Sequence, residues 1–396
     1  MDKIGNKKLT WINFLHLYQP ANADDNRIVE ATEKSYARII RALKENPRIK
    51  FTLNIMGCLF VRWQETEQED IIKKIKALVK KGQIELTGSA AYHPLLPLIP
   101  EDEIIKQVKE NENILKEYFG KNYKPSGFFL PEMAYSAKAA KIIRSLGYRW
   151  LILDEIAYNG KLGEADISKV YQDKNSNLLV VLRSRKFSSS YVPDLLKQET
   201  KKLAGVELAI TATDGELYGL RHEDPTAEFE KILKNRKIIT QTISEYIAEN
   251  EGREIVKFRD SNWEATEREL IFRRPYALWV NKGNGIQKNI WQLAELAMRT
   301  IERHEDDENY DWARWHLVRG MASCTFWWAS EKDFSYIYGP YAWNPDEIER
   351  GIRELIKSIR SLEATTTRKT KIKAEKLYVK IKKMIWDKHW SVHWKK

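Results

Sequence analysis

Seven short apolar runs recur along the first half of this chain: Leu9–Leu15, Ile49–Ile55, Ile84–Leu86, Gly127–Leu130, Arg149–Leu153, Leu178–Leu182 and Val206–Ile210. Amphipathic, Lys/Glu-rich segments separate several of them, most clearly Asp70–Lys81, Glu101–Phe119 and Ala137–Leu146, which carry apolar residues at helical spacing. A strand covered by helices on both sides reads as a continuous apolar run rather than an alternating one. The pattern therefore predicts an α/β fold with a parallel sheet. Seven strand candidates in one series point to an incomplete seven-stranded (β/α) barrel more than to an open sheet.

After Asp260 the pattern changes. Asn284–Arg303, Asn309–Ser330 and Pro345–Leu362 read as long amphipathic helices, and no strand series accompanies them. The expected organisation is a barrel over 1–265, a helical bundle over 266–364, and a basic helix or tail over 365–396. With 43% hydrophobic and 31% charged residues the chain can bury a large core and is not disordered. No apolar run approaches the ~18 residues of a membrane span. Cys58 and Cys324 are the only cysteines, too few for a disulfide framework or a Cys-based zinc site. The apolar part of Met1–Gln19 is broken by Asn13 and His16, unlike a signal peptide. A cytoplasmic location without membrane association is expected, and self-association into a homo-oligomer is left open.

The net charge of +11 is unevenly placed. From Thr365 onward eleven Lys/Arg face only Glu375 and Asp387, so nearly all the excess belongs to the tail. Such a tail can attract phosphate. Ile372, Leu377, Ile381 and Ile385 recur at helical spacing, however, and a solvated helix accounts for it without a nucleic-acid partner.

In parallel α/β barrels the chemistry sits in the loops after the strands. The first run ends in His16-Leu17-Tyr18-Gln19-Pro20, and the third leads to His93-Pro94. The fourth ends in Pro131-Glu132, and the last leads through Thr211-Ala212-Thr213 into Asp214-Gly215-Glu216. Cleaving an acetal calls for one carboxylate at the oxocarbenium-like centre and another to protonate the leaving oxygen. This set offers both. Gly215 would let backbone approach a ligand closely, and Pro131 would stiffen the chain before Glu132. Asp154-Glu155 also ends a strand, and composition does not separate it from Glu132.

These segments resemble glycoside hydrolase family 57. His16-Leu17-Tyr18-Gln19-Pro20 is similar to its His-x-His-Gln-Pro motif, with Tyr18 in place of the second His. Gly82-Gln83-Ile84-Glu85 with Tyr92-His93-Pro94, then Leu130-Pro131-Glu132, then Asp214-Gly215-Glu216-Leu217-Tyr218-Gly219 follow in the family's order. A weaker fifth match, Ser323-Cys324-Thr325-Phe326-Trp327-Trp328, has Cys324 where many relatives carry an acid.

The resemblance implies a retaining enzyme on α-linked glucans, hydrolysing them as an amylase or transferring them as a 4-α-glucanotransferase or branching enzyme. It implies neither metal nor organic cofactor, and an oligo- or polysaccharide as partner. By position Glu132 would be the nucleophile and Asp214 the acid/base. His16, Gln19, His93 and Glu216 are candidates for substrate contact. So are Trp263, Trp279, Trp327 and Trp328, since indole faces stack on sugar rings. Arg183 could neutralise a site carboxylate or form a structural ion pair. An α-galactosidase of the same family and a non-catalytic carbohydrate-binding relative are the alternatives; the departures at Tyr18 and Cys324 motivate the latter.

Overall fold

The computed structural model describes residues 8–202, 206–250, 252–332 and 342–393. The described residues divide into two compact units. The first holds those up to Gln19, Ala23–Ala91 and Leu96–Arg273; the second holds Pro20–Asn22, Tyr92–Leu95 and those from Arg274 on.

In the first unit the strands are β1 (Leu9–Leu17), β2 (Phe51–Ile55), β3 (Ile84–Leu86), β4 (Gly127–Phe128), β5 (Trp150–Asp154), β6 (Tyr171–Asp173), β7 (Leu179–Arg183), β8 (Leu208–Asp214), β9 (Ile238–Gln241) and β10 (Glu254–Val256). One sheet runs β3-β2-β1-β8, with β9 also on β1; the other runs β10-β6-β7-β5-β4. Pairing is parallel apart from β6 on β7. A parallel bridge between Gly88 and Phe128 joins β3 to β4. At the opposite seam Ser184 N, just past β7, donates to Ile210 O within β8 at 2.9 Å.

All seven expected runs contain strands. The three unforeseen strands are short, and β10 lies at a sheet edge where Ile255 is exposed. Without burial on both faces such strands leave no apolar run to read. Ile12 and Phe14 from β1, Ile210 and Ala212 from β8, Trp150 and Ile152 from β5, and Val181 from β7 share one buried cluster.

Helices make up the second unit: Gly285–Glu302, Tyr310–Gly320, Ser323–Trp327, Pro345–Arg360 and Arg368–Lys388. Asn284 caps the first through Ile286 N and Gln287 N, both at 3.0 Å. The single helix expected over Asn309–Ser330 is broken because Ala322 adopts ψ 137° and bridges Pro94. The basic segment belongs to this unit, and its helix buries Ala374, Ile381 and Ile385. No helix among the described residues is long and apolar enough to cross a membrane.

Candidate active site

Side chains of a strand alternate faces with period two. The face of β1 that buries Ile12 and Phe14 therefore ends in His16, and the face of β8 that buries Ile210 and Ala212 ends in Asp214. The same count takes β5 from Trp150 and Ile152 to Asp154, and β7 from Val181 to Arg183. Parallel register then pairs neighbours: His16 lies opposite Asp214 and opposite Asn54 of β2, while Asp154 lies opposite Arg183. Two different couples result.

The Asp154 couple is structural. Arg183 Nε meets Asp154 Oδ2 at 2.8 Å, and Arg185 Nη2 meets Oδ1 at 2.7 Å. Glu155 accepts from the backbone N–H groups of Gly163 (2.8 Å) and Arg185 (2.7 Å). Arg183 thus neutralises Asp154 rather than Glu132 or Asp214. It also donates to the carbonyl of Trp263 at 3.2 Å, with its guanidinium 5.3 Å from that indole.

Trp263 in turn holds Glu132. Its Nε1–H donates to Glu132 Oε2 at 2.9 Å, and its backbone N–H donates to Glu132 O at 3.3 Å. Glu132 has φ 62° and Met133 φ 48°. Left-handed backbone costs an L-residue that carries a Cβ about 1–2 kcal/mol, and persists where surroundings over-determine it. Here Pro131, the Met133 N–H to Leu130 O bond of 2.7 Å and the Trp263 clamp do so. The order of support is Asp154, Arg183, Trp263, Glu132. The His16 ring lies 6.1 Å from that of Trp263 and 4.7 Å from that of Phe129, which places the Asp214 couple beside the Glu132 turn.

Asp214 keeps 26% of its side-chain surface and pairs with Arg221 at 2.8 Å. Glu216 is only 2% exposed. Its Oε1 accepts from Tyr36 Oη at 2.6 Å and from Gln19 Nε2 at 2.8 Å. Burial, opposed by Arg221 and reinforced by Asp214, pushes the Glu216 carboxyl up to about 7. Glu216, a candidate for substrate contact, is buried in this structure with Gln19 and Tyr36 on its carboxylate. Tyr36 was not foreseen. It ends a π-helical turn, Thr32–Tyr36, whose Ser35 also donates to Gly215 O at 2.5 Å. At Gly219 (φ +135°) an added Cβ would stand 2.2 Å from Lys34 O. That turn and the Asp214–Gly219 loop are therefore locked together. Gly215 serves the same packing, since a Cβ there would meet Leu17 at 2.9 Å; it needs no ligand to explain it.

His16 is nearly buried, and its Nδ1 lies 2.8 Å from Asn54 Oδ1. Burial lowers its pKa to about 4 despite the opposing pull of Asp214. The unfolded chain, with an ordinary imidazole near 6.5, then binds more protons between these values, so stability falls as pH drops from about 6.5 toward 4. His16→Gln should remove this dependence: its stability relative to the parent should improve by about 2 kcal/mol between pH 7 and 5, read by urea unfolding at each pH. A constant difference would contradict a neutral buried His16.

In the second unit His93 adopts φ 58°, its Nδ1 lies 2.9 Å from Ser323 Oγ, and its carbonyl accepts from Ser323 N at 2.9 Å. This contact gives the Ser of the fifth motif its role. Trp327 and Trp328 stack at 4.0 Å and are half-buried. Trp279, a further candidate for substrate contact, is wholly buried in this structure. In the second motif, Gln83 Nε2 caps the carbonyls of Leu43, Asn46 and Ile49, and Glu85 accepts from Thr52 Oγ1 at 3.0 Å and from Ser244. Both are structural.

The sequence model of glycosyl hydrolase family 57 matches residues 6–259. The chain belongs to this family. It is 25% identical to an α-amylase of Pyrococcus horikoshii over 89% of this chain and 60% of that protein. Among solved structures, a 4-α-glucanotransferase from Thermococcus litoralis superposes with a TM-score of 0.69 at 18% identity, covering 90% of this chain and 60% of that one. A family 57 branching enzyme from Thermococcus kodakaraensis, crystallised with glucose, gives 0.67 at 15% identity over 95% and 96% of the two chains. These structures share the fold. The chain spans about three fifths of the length of the α-amylase and glucanotransferase it matches.

Proposed function

We propose that this family 57 chain is a retaining enzyme on α-linked glucans, with Glu132 as nucleophile and Asp214 as acid/base. The observation that carries the reading is the juxtaposition of a clamped, strained Glu132 with the His16–Asp214 couple through Trp263. Glu132 attacks the anomeric carbon while the Asp214 carboxyl gives its proton to the departing oxygen. Asp214 then takes a proton from water or a sugar hydroxyl, which displaces Glu132. Such pairs stand about 5–5.5 Å apart. The seam bonds at Gly88 and Ser184 support reading β8-β1-β2-β3 and β4-β5-β7 as one interrupted seven-stranded barrel. The matches to an α-amylase and a 4-α-glucanotransferase favour α-glucan over α-galactoside. Exposure of Asp214 with burial of Glu216 favours Asp214 as the carboxyl that meets substrate.

Chromatography after incubation with maltooligosaccharides and, separately, α-galactosides tests this. Turnover of the former alone is expected. Shorter products mean hydrolysis, and a ladder that includes longer ones means transfer. Turnover of α-galactosides alone, or of neither, would contradict the reading.

A further inference from the structure

The second unit carries an open groove of about 610 Å³ lined by Trp312, Trp315, His316, Arg319, Glu354 and Lys357. None of these takes part in the candidate active site. Trp312, Trp315 and Arg319 recur at i, i+3 and i+7 on Tyr310–Gly320, hence on one face of that helix. They form a stack. The two indoles lie 4.7 Å apart and 9° from parallel, and the Arg319 guanidinium sits 3.9 Å from the Trp315 ring. Trp315 is thus held between its neighbours, while Trp312 ends the stack with 54% of its surface exposed. His316 packs edge-on against both rings at 4.9 and 4.8 Å, and Glu354 fixes it through a 2.7 Å contact with Nδ1. The exposed indole is accordingly oriented before any ligand arrives, which lowers the entropic cost of binding on it.

The surroundings say what kind of ligand suits that face. Lys357 and the edge of the Arg319 guanidinium lie in the same groove as the exposed indole and offer hydrogen-bond donors beside it. A pyranose has the complementary surface: an apolar face of C–H groups for the indole and a rim of hydroxyls for charged donors and acceptors. We propose that Trp312 heads a second carbohydrate-binding site, which holds an α-glucan chain and shares no residue with the candidate active site. The choice of α-glucan rests on the proposed function. The site would act on polymeric substrate by keeping chain near the enzyme, so its loss should raise the KM for a long glucan and leave a short one unaffected.

Native electrophoresis through gels containing glycogen tests the site, with Glu132→Gln protein as the parent to prevent turnover. Adding Trp312→Ala should weaken retardation by roughly tenfold, and Trp312→Tyr, which keeps a stacking ring, should restore most of it. In the active enzyme Trp312→Ala should raise the KM for glycogen while kcat/KM on a short chromogenic maltoside stays within about twofold. Unchanged retardation would overturn the proposal. So would sedimentation of the parent as a dimer that Trp312→Ala dissociates, since the stack would then be a self-association surface. Glucan turnover with Trp312-independent retardation sinks this site alone. Trp312-dependent retardation without turnover of any α-glucan sinks the proposed function alone.

Discussion

Glu132→Gln should lower kcat by roughly 10⁴–10⁶-fold, with little change in stability. The substitution keeps size and geometry, and its amide can still pair with the Trp263 N–H, so the turn at 131–133 should persist. What disappears is the negative charge that attacks the anomeric carbon. Because the bond to Glu132 forms as the leaving group departs, an activated leaving group does not supply the missing nucleophile and should not rescue the variant. Steady-state kinetics on maltooligosaccharides and on an activated glycosyl fluoride read both points. Near-normal turnover would remove Glu132 from the nucleophile role. Asp154 and Glu155 would not be obvious substitutes, being satisfied by Arg183, Arg185 and backbone N–H groups.

Asp214→Ala should behave differently by leaving group. With an ordinary sugar as leaving group the loss should be about 10²–10⁴-fold, the usual worth of a positioned general acid. With fluoride, which departs without a full proton transfer, the first step should survive and the glycosyl-enzyme should accumulate, because nothing remains to activate water. Burst kinetics with an activated substrate check this. Equal loss on all substrates would mean that Asp214 does not donate the proton. Glu216 would then be the next carboxyl to test, given its elevated pKa and its place two residues along the loop.

Much of this site was readable from the strand pattern. Apolar runs that end in His16, Glu132 and Asp214 give candidates because strand ends are where a parallel sheet presents polar groups. What the pattern could not do was separate Glu132 from Asp154. That difference arises from cross-strand register, which sets Asp154 opposite Arg183 and leaves Glu132 to Trp263, far along the chain. Asn54 was legible in retrospect, as a polar residue inside the run Phe51–Ile55, next to His16. Tyr36 was not, because a π-turn within helical sequence leaves no periodic signature. Gln19 and Glu216, both candidates for substrate contact, bind each other. Residue type alone does not distinguish a group that touches ligand from one that orients its neighbour. Burial likewise separates Trp279 from the exposed Trp312, two side chains of one type.

The central claim, that Glu132 and Asp214 work from opposite faces of one sugar through a covalent intermediate, is tested most directly by azide rescue of the two alanine variants. Azide supplied to Asp214→Ala with an activated α-glycosyl substrate should enter where base-assisted water attacks, giving a glycosyl azide of retained configuration. Supplied to Glu132→Ala it should occupy the vacated nucleophile position and give the inverted azide. Proton NMR of the anomeric centre distinguishes them. The reverse assignment of products would exchange the two roles, and an inverted sugar released by the unmodified enzyme would contradict the covalent mechanism itself.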